Sequence, residues 1–189
     1  MIGWIIAIVV VVVIALLLVG IYNRLVALDQ AADQSFADID VQLRQRQDLI
    51  PNLVEAVKGY AGHERGTLEA VTEARAAAQG AGSVNEKVQA ENMLTAALGR
   101  LFAVAEAYPD LKASTNFLQL QNELSDIENK LAAARRFFNN AVAEFNAVRR
   151  QFPTVLFAGL VGFASDKPFF DLGEADRAAM NAAPPQVKF

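Results

Sequence analysis

Phe117 to Phe152 reads FLQLQNELSDIENKLAAARRFFNNAVAEFNAVRRQF, and its spacing decides the fold. Phe117, Leu120, Leu124, Ile127, Leu131, Ala134, Phe138, Ala141, Phe145, Val148 and Phe152 step by three and four residues without a break. An α-helix repeats every 3.6 residues, so these side chains form one apolar stripe with Gln, Asn, Glu, Arg and Lys between them. At about 1.5 Å per residue the helix reaches about 50 Å. A stripe of this length is a packing seam that needs partner helices.

The same spacing recurs upstream. Leu25, Leu28, Ala32, Phe36, Ile39 and Leu43 give a first seam, and Arg44 and Arg46 near its end suit the negative pole of a helix dipole. Asp48 is placed to cap a second helix opening on Leu49-Ile50-Pro51, because proline is tolerated in a first turn. The spacing thus predicts a hairpin at residues 46–48. The apolar phase also runs on through Pro51, which leaves open that the first two segments are one kinked helix continuous with the apolar run at the amino end. Leu53, Val57, Tyr60, Glu64, Leu68, Val71 and Arg75 carry the next face as far as Gln79-Gly80-Ala81-Gly82. Ser83-Val84-Asn85-Glu86 has the form of a capping box, in which serine and glutamate satisfy each other's free backbone donors. It opens a third helix through Val88, Leu94, Leu98, Leu101, Ala105 and Tyr108, closed by Pro109, and Ser114 is placed to cap the fourth.

At the amino end, Ile2 to Ile21 carries no charge. About 20 helical residues span about 30 Å, the thickness of a bilayer's hydrocarbon core. Trp4 and Tyr22 stand near its ends, where amphipathic rings favour the headgroup layer. A cleaved signal peptide fits poorly, because no Lys or Arg precedes the run and no small-residue cleavage site follows it. The expected transmembrane segment includes Ile2, Trp4, Gly20 and Ile21. The expected organisation is a transmembrane anchor over residues 1–23, an antiparallel helical bundle over 24–152, and an apolar-then-polar tail over 153–189. The fold class is all-α, a transmembrane helix followed by an up-and-down four-helix bundle.

The order of the motifs resembles the LemA family of bacterial membrane proteins. Tyr22-Asn23-Arg24 follows the apolar run, then come Asp48-Leu49-Ile50-Pro51-Asn52-Leu53-Val54, Lys58-Gly59-Tyr60-Ala61-Gly62-His63-Glu64, Ala74-Arg75, Tyr108-Pro109-Asp110-Leu111-Lys112-Ala113, Arg135-Arg136-Phe137-Phe138-Asn139 and Phe152-Pro153. The resemblance covers nearly the whole chain. It implies a single-pass anchor with a long helical bundle in the bacterial inner membrane and no agreed catalytic residues.

Composition narrows the function classes. A net charge of -4 argues against a nucleic-acid partner, since phosphate binding needs a basic stripe. The chain has no cysteine, which removes thiol nucleophiles, thiolate metal sites and disulfides. Its single histidine, His63, stands beside Glu64 without a Glu-x-x-His motif, so a carboxylate-bridged metal site is poorly supplied. Catalytic residues, metal ligands and cofactors are therefore none. Asn139, Asn140, Glu144, Asn146, Arg75 and Arg135 lie near the seam and suit either specificity within the bundle or plain surface. The bundle seam itself is assigned to Phe117, Leu120, Leu124, Ile127, Leu131, Phe138, Phe145 and Val148.

An up-and-down bundle returns the end of its last helix to the bilayer. Val155-Leu156-Phe157-Ala158-Gly159-Leu160-Val161-Gly162-Phe163 follows there, too short to cross a membrane. Candidates for contact with a partner or lipid are Tyr108, Pro109, Arg149, Arg150, Phe157, Phe163, Phe169 and Phe170. Arg24, Arg149 and Arg150 near one surface favour a cytoplasmic bundle with the amino terminus outside. The expected partners are the lipid bilayer, further copies of the chain in a homo-oligomer, and other membrane proteins. The function that fits is a non-enzymatic membrane-anchored scaffold that self-associates and organises other envelope proteins; the alternative is an adaptor for a membrane protease or transporter.

Overall fold

The computed structural model describes residues 2–171, most of which are helical, with no strand among them. In chain order the elements are α1 (Ile2–Lys58), α2 (Arg65–Gly80), α3 (Val84–Glu106), the single turn α4 (Pro109–Lys112), α5 (Thr115–Arg150) and the single turn α6 (Thr154–Phe157). The polar end of the expected tail, residues 172–189, lies outside the described residues. Two compact units are formed, one from residues 2–39 and 134–168, the other from residues 40–133 and 169–171.

In the second unit, the core is continuous. Ile50, Leu53 and Val57 of α1, Leu68, Val71 and Ala74 of α2, Leu94, Leu98 and Leu101 of α3, Leu111 of α4, and Phe117, Leu120 and Leu124 of α5 are all buried in one cluster. The capping box at the start of α3 is formed: Glu86 N–H donates to the Ser83 hydroxyl at 3.3 Å, and the Glu86 carboxylate accepts from Ser83 N–H at 2.9 Å. A further bond from Gly82 N–H at 3.0 Å joins it. These donors favour the charged form, so the Glu86 carboxyl lies below the usual glutamate range.

The hairpin expected at residues 46–48 is not there. α1 passes through Asp48 and Pro51 and runs for 57 residues, about 85 Å, before it stops at Lys58. A proline inside a helix removes one N–H, leaving the carbonyl four residues earlier without its donor. Here that carbonyl belongs to Gln47, and Arg75 of α2 supplies the missing donor: its Nε–H reaches the Gln47 oxygen at 2.7 Å. Burial on either side of the proline, at Arg46, Gln47, Ile50 and Leu53, holds the helical phase. The break falls instead at Gly59-Tyr60-Ala61-Gly62-His63-Glu64. Ala61 is buried there while Tyr60, expected on the seam, is about half exposed.

The first unit begins with the apolar run. It satisfies the length and composition needed to cross a bilayer, and none of its most apolar window is buried within the chain. Four residues after Ile21 the same helix buries Leu25, then Ala32 and Ile39. Leu25 packs with Phe145, Val148 and Ala158, with Ile21, Leu28 and Phe163 at the margin. Phe36 and Phe138 face each other with ring centroids 5.4 Å apart.

Candidate functional site

Two places in the molecule gather side chains with chemical capacity. The first, in the second unit, is built around Arg46. Its guanidinium is 3% exposed and pairs with the equally buried Glu91 of α3 at 2.6 Å. It also meets the more open Glu128 of α5 at 2.7 Å and Thr95 Oγ1 at 2.9 Å. Gln47 Nε2 donates to the other Glu91 oxygen at 3.2 Å. A cavity of about 320 Å³ adjoins it, lined by Arg46, Thr95, Phe102, Gln121, Ser125 and Glu128 among others. One cation held between two carboxylates is a fixed electrostatic clamp. Removal of Arg46 would leave the buried Glu91 without its cation, and the arrangement joins α1, α3 and α5 in one register. Among the described residues no group of three or more His, Asp or Glu side chains is placed to hold a metal ion. His63 is exposed in the turn after α1.

The second place, in the first unit, is the chain after α5. Leaving the helix at Arg150, it turns through α6 and folds back, and Gly162 makes the reversal with a φ of 97°, which glycine adopts without strain. Phe163 N–H then donates to Ala158 oxygen at 2.8 Å. The Phe163 ring meets Phe145 edge-on at 5.8 Å between centroids. Three polar ties fasten the returning strand of chain. Asn146, mostly buried, donates from Nδ2 to the Lys167 carbonyl at 3.0 Å and accepts the Lys167 N–H at 2.9 Å. Arg149 Nε donates to Asp166 at 2.7 Å, and Arg150 pairs with the same carboxylate. Lys167 Nζ reaches Asp33 at 2.6 Å and Asp29 at 2.9 Å, above the Phe145 ring. Partial burial works against the charge on Lys167; hydrogen bonds with Asp33 and Asp29 outweigh it, so its ammonium group titrates above the usual lysine range.

The residues singled out in the sequence fall as follows. Phe117, Leu120, Leu124, Ile127, Leu131, Phe138, Phe145 and Val148 are buried along α5, with Val142 fully buried beside them. Phe152, at the end of the expected stripe, is 80% exposed because α5 has already ended. Ile2, Trp4 and Gly20 stand exposed on α1, and Ile21 is half-buried. Tyr108 is half-buried against the core of the second unit, and Pro109 starts α4. Arg149 and Arg150 end α5 and pair with Asp166 of the folded-back segment, where Phe157 and Phe163 are half-buried, while Phe169 is exposed and Phe170 buried. The Arg46 and Lys167 centres were not among these. Glu91 had a signal, since it shares a three-and-four spacing with Leu94, Leu98, Leu101 and Ala105; Lys167 lies outside any periodic element and had none.

Residues 35–189 match the LemA family model. The chain belongs to the LemA family. The match takes in the Arg46 cluster and the segment after α5, and leaves out the apolar run together with Leu25, Asp29 and Asp33. This LemA-family chain is 24% identical to the magnetosome protein MamQ of Magnetospirillum gryphiswaldense over 181 residues, covering 82% of the chain and 66% of that protein. It is 24% identical to MamQ 2 of Paramagnetospirillum magneticum over 168 residues, with 75% and 62% covered. Protein LemA of Metamycoplasma hominis is 26% identical over 130 residues, with 68% and 59% covered. The chain therefore spans about three fifths to two thirds of the length of these relatives.

Proposed function

We propose that this LemA-family chain is a non-enzymatic, membrane-tethered helical scaffold of the bacterial inner membrane, which self-associates and organises other envelope proteins. One observation carries the reading: the apolar run Ile2–Ile21, whose most apolar window has no buried residue, continues without a loop into the buried residues Leu25, Ala32 and Ile39 of the same helix. Anchor and folded domain are one element. In this reading the later part of α1 with α2, α3 and α5 makes an up-and-down four-helix bundle. Support comes from the shared core and from the short connections at residues 59–64 and 81–83, which favour antiparallel neighbours. The buried Arg46 cluster serves register, and the domain lies on the cytoplasmic side with the amino terminus outside. Copies confined to one bilayer reach a high effective concentration, so weak lateral contacts suffice for assembly.

The test is cross-linking and native mass measurement of the intact chain in lipid at increasing density. Larger species should grow with density. A chain that stays monomeric at every density removes the assembly, and one that leaves the membrane fraction on alkaline washing removes the tether.

A further inference from the structure

The folded-back segment of the first unit turns apolar side chains outward. Phe152 is 80% exposed, Leu160 83% and Leu156 60%, with Val155 and Val161 also open. Five exposed large apolar side chains within ten residues are a concentration that marks an interaction surface. What covers it follows from its level on α1. The inner side of the segment, through Ala158 and Phe163, packs on Leu25 with Ile21 and Leu28 alongside. Ile21 is the last residue of the apolar run, and Ile21 to Leu28 is about 10 Å of helix. With the run filling the hydrocarbon core, those 10 Å cross the headgroup layer, which is roughly 5 to 8 Å thick on each side.

We propose that residues 152–161 form a second membrane contact, a collar that beds its outward apolar face into the headgroup layer of the bilayer entered by α1. The proposal rests on the reading of Ile2–Ile21 as a membrane anchor. Apolar elements of this kind settle about 5 to 10 Å into the boundary between headgroups and acyl chains. The collar is held firmly by Asn146 and by the Arg149 and Arg150 pairs with Asp166, so it presents a shaped face instead of a loose tail. Arg149, Arg150 and Lys167 meet Asp166, Asp29 and Asp33, so the charges that hold the segment balance three against three. Arg24 likewise has Glu144 at 3.5 Å. Binding is therefore by apolar burial and does not depend on anionic lipid.

The chain has no cysteine, so single cysteines report cleanly. Leu156→Cys and Leu160→Cys in the full chain, each carrying an environment-sensitive NBD dye, are placed in phosphatidylcholine vesicles containing nitroxide lipids labelled at the headgroup or deep in the acyl chain. Val10→Cys is the deep reference, Tyr22→Cys the boundary reference, and Met93→Cys, on exposed α3 surface, the water reference. Expected are blue-shifted emission and strongest quenching by the headgroup nitroxide at 156 and 160, matching Tyr22→Cys and unchanged when phosphatidylglycerol is added. Dyes at 156 and 160 that behave like Met93→Cys, while Val10→Cys is quenched from depth, overturn the collar and leave the anchor standing. A blue shift that grows with protein density without lipid quenching assigns the face to a second copy and also overturns it. An unquenched Val10→Cys removes the anchor itself. Helical circular dichroism of each labelled chain confirms that the fold is kept.

Discussion

The polar groups around Arg46 and those around Lys167 use the same chemistry under different hydration. Arg46 and Glu91 are 3% and 2% exposed, so the bond between them is made out of reach of bulk water. Lys167 and Asp29 are 23% and 26% exposed, and water still reaches the pair. Dry ion pairs are expensive to break and contribute little net stability when whole, whereas wet pairs are cheap in both directions. The Arg46 cluster therefore acts as a specificity lock between helices. The Lys167 ties act as buckles that keep one segment folded back.

The largest test of that contrast is Arg46→Met. It strands Glu91 in the core with Gln47 as its hydrogen-bond donor, and should cost about 3 to 5 kcal/mol in the denaturant unfolding of the detergent-solubilised chain. Glu91→Gln should cost less, because Arg46 keeps Glu128. Combining Arg46→Met with Glu91→Leu should recover most of the loss; no recovery would mean the pair contributes net stability and not register. Next is Arg75→Met, which orphans the buried Gln47 carbonyl for about 1 to 3 kcal/mol. Pro51→Ala returns the N–H to that carbonyl, so the double variant should lose much less than the sum of the singles. Additive effects in this cycle would refute the role given to Arg75.

Smaller again is Ser83→Ala, which opens the capping box and should cost about 1 kcal/mol. Because Glu86 titrates below its unfolded value near 4.3, its contribution is present above that pH and disappears as pH falls through the lowered value. Acid titration of the helical signal should show this window narrowed in Ser83→Ala. The smallest effect is expected at the buckle, with Lys167→Met losing less than about 1 kcal/mol. Its pH dependence has the opposite sign. The raised Lys167 value gives stability that is complete below about 10.4 and fades as pH climbs through the folded value, so the variant should lose that alkaline step.

What the sequence made legible follows the range of each interaction. The apolar run and the α5 stripe are local patterns, readable because every residue repeats the same message. The break between the first two helices was misread for a physical reason. Asp48 and Pro51 are strong start signals within a few residues, yet the donor that keeps the helix going sits on Arg75, in another helix. Arg46 was read as a charge suited to a helix C-terminus, and its partner Glu91 is 45 positions away. Lys167 and Asp166 act from a segment without regular structure, where no period announces which side chains turn inward.

One consequence of the loop-free passage from Ile21 to Leu25 concerns azimuth. Residues 18, 14, 11 and 7 precede Leu25 by near-whole helical turns, so Leu18, Ile14, Val11 and Ala7 stand in line with the side chain that α5 clasps. The anchor is not free to spin beneath its cargo. Docking of Leu25 fixes the azimuth of the whole apolar cylinder, so a graft that adds one residue between positions 21 and 25 would swing that stripe by about 100° while leaving both parts chemically intact.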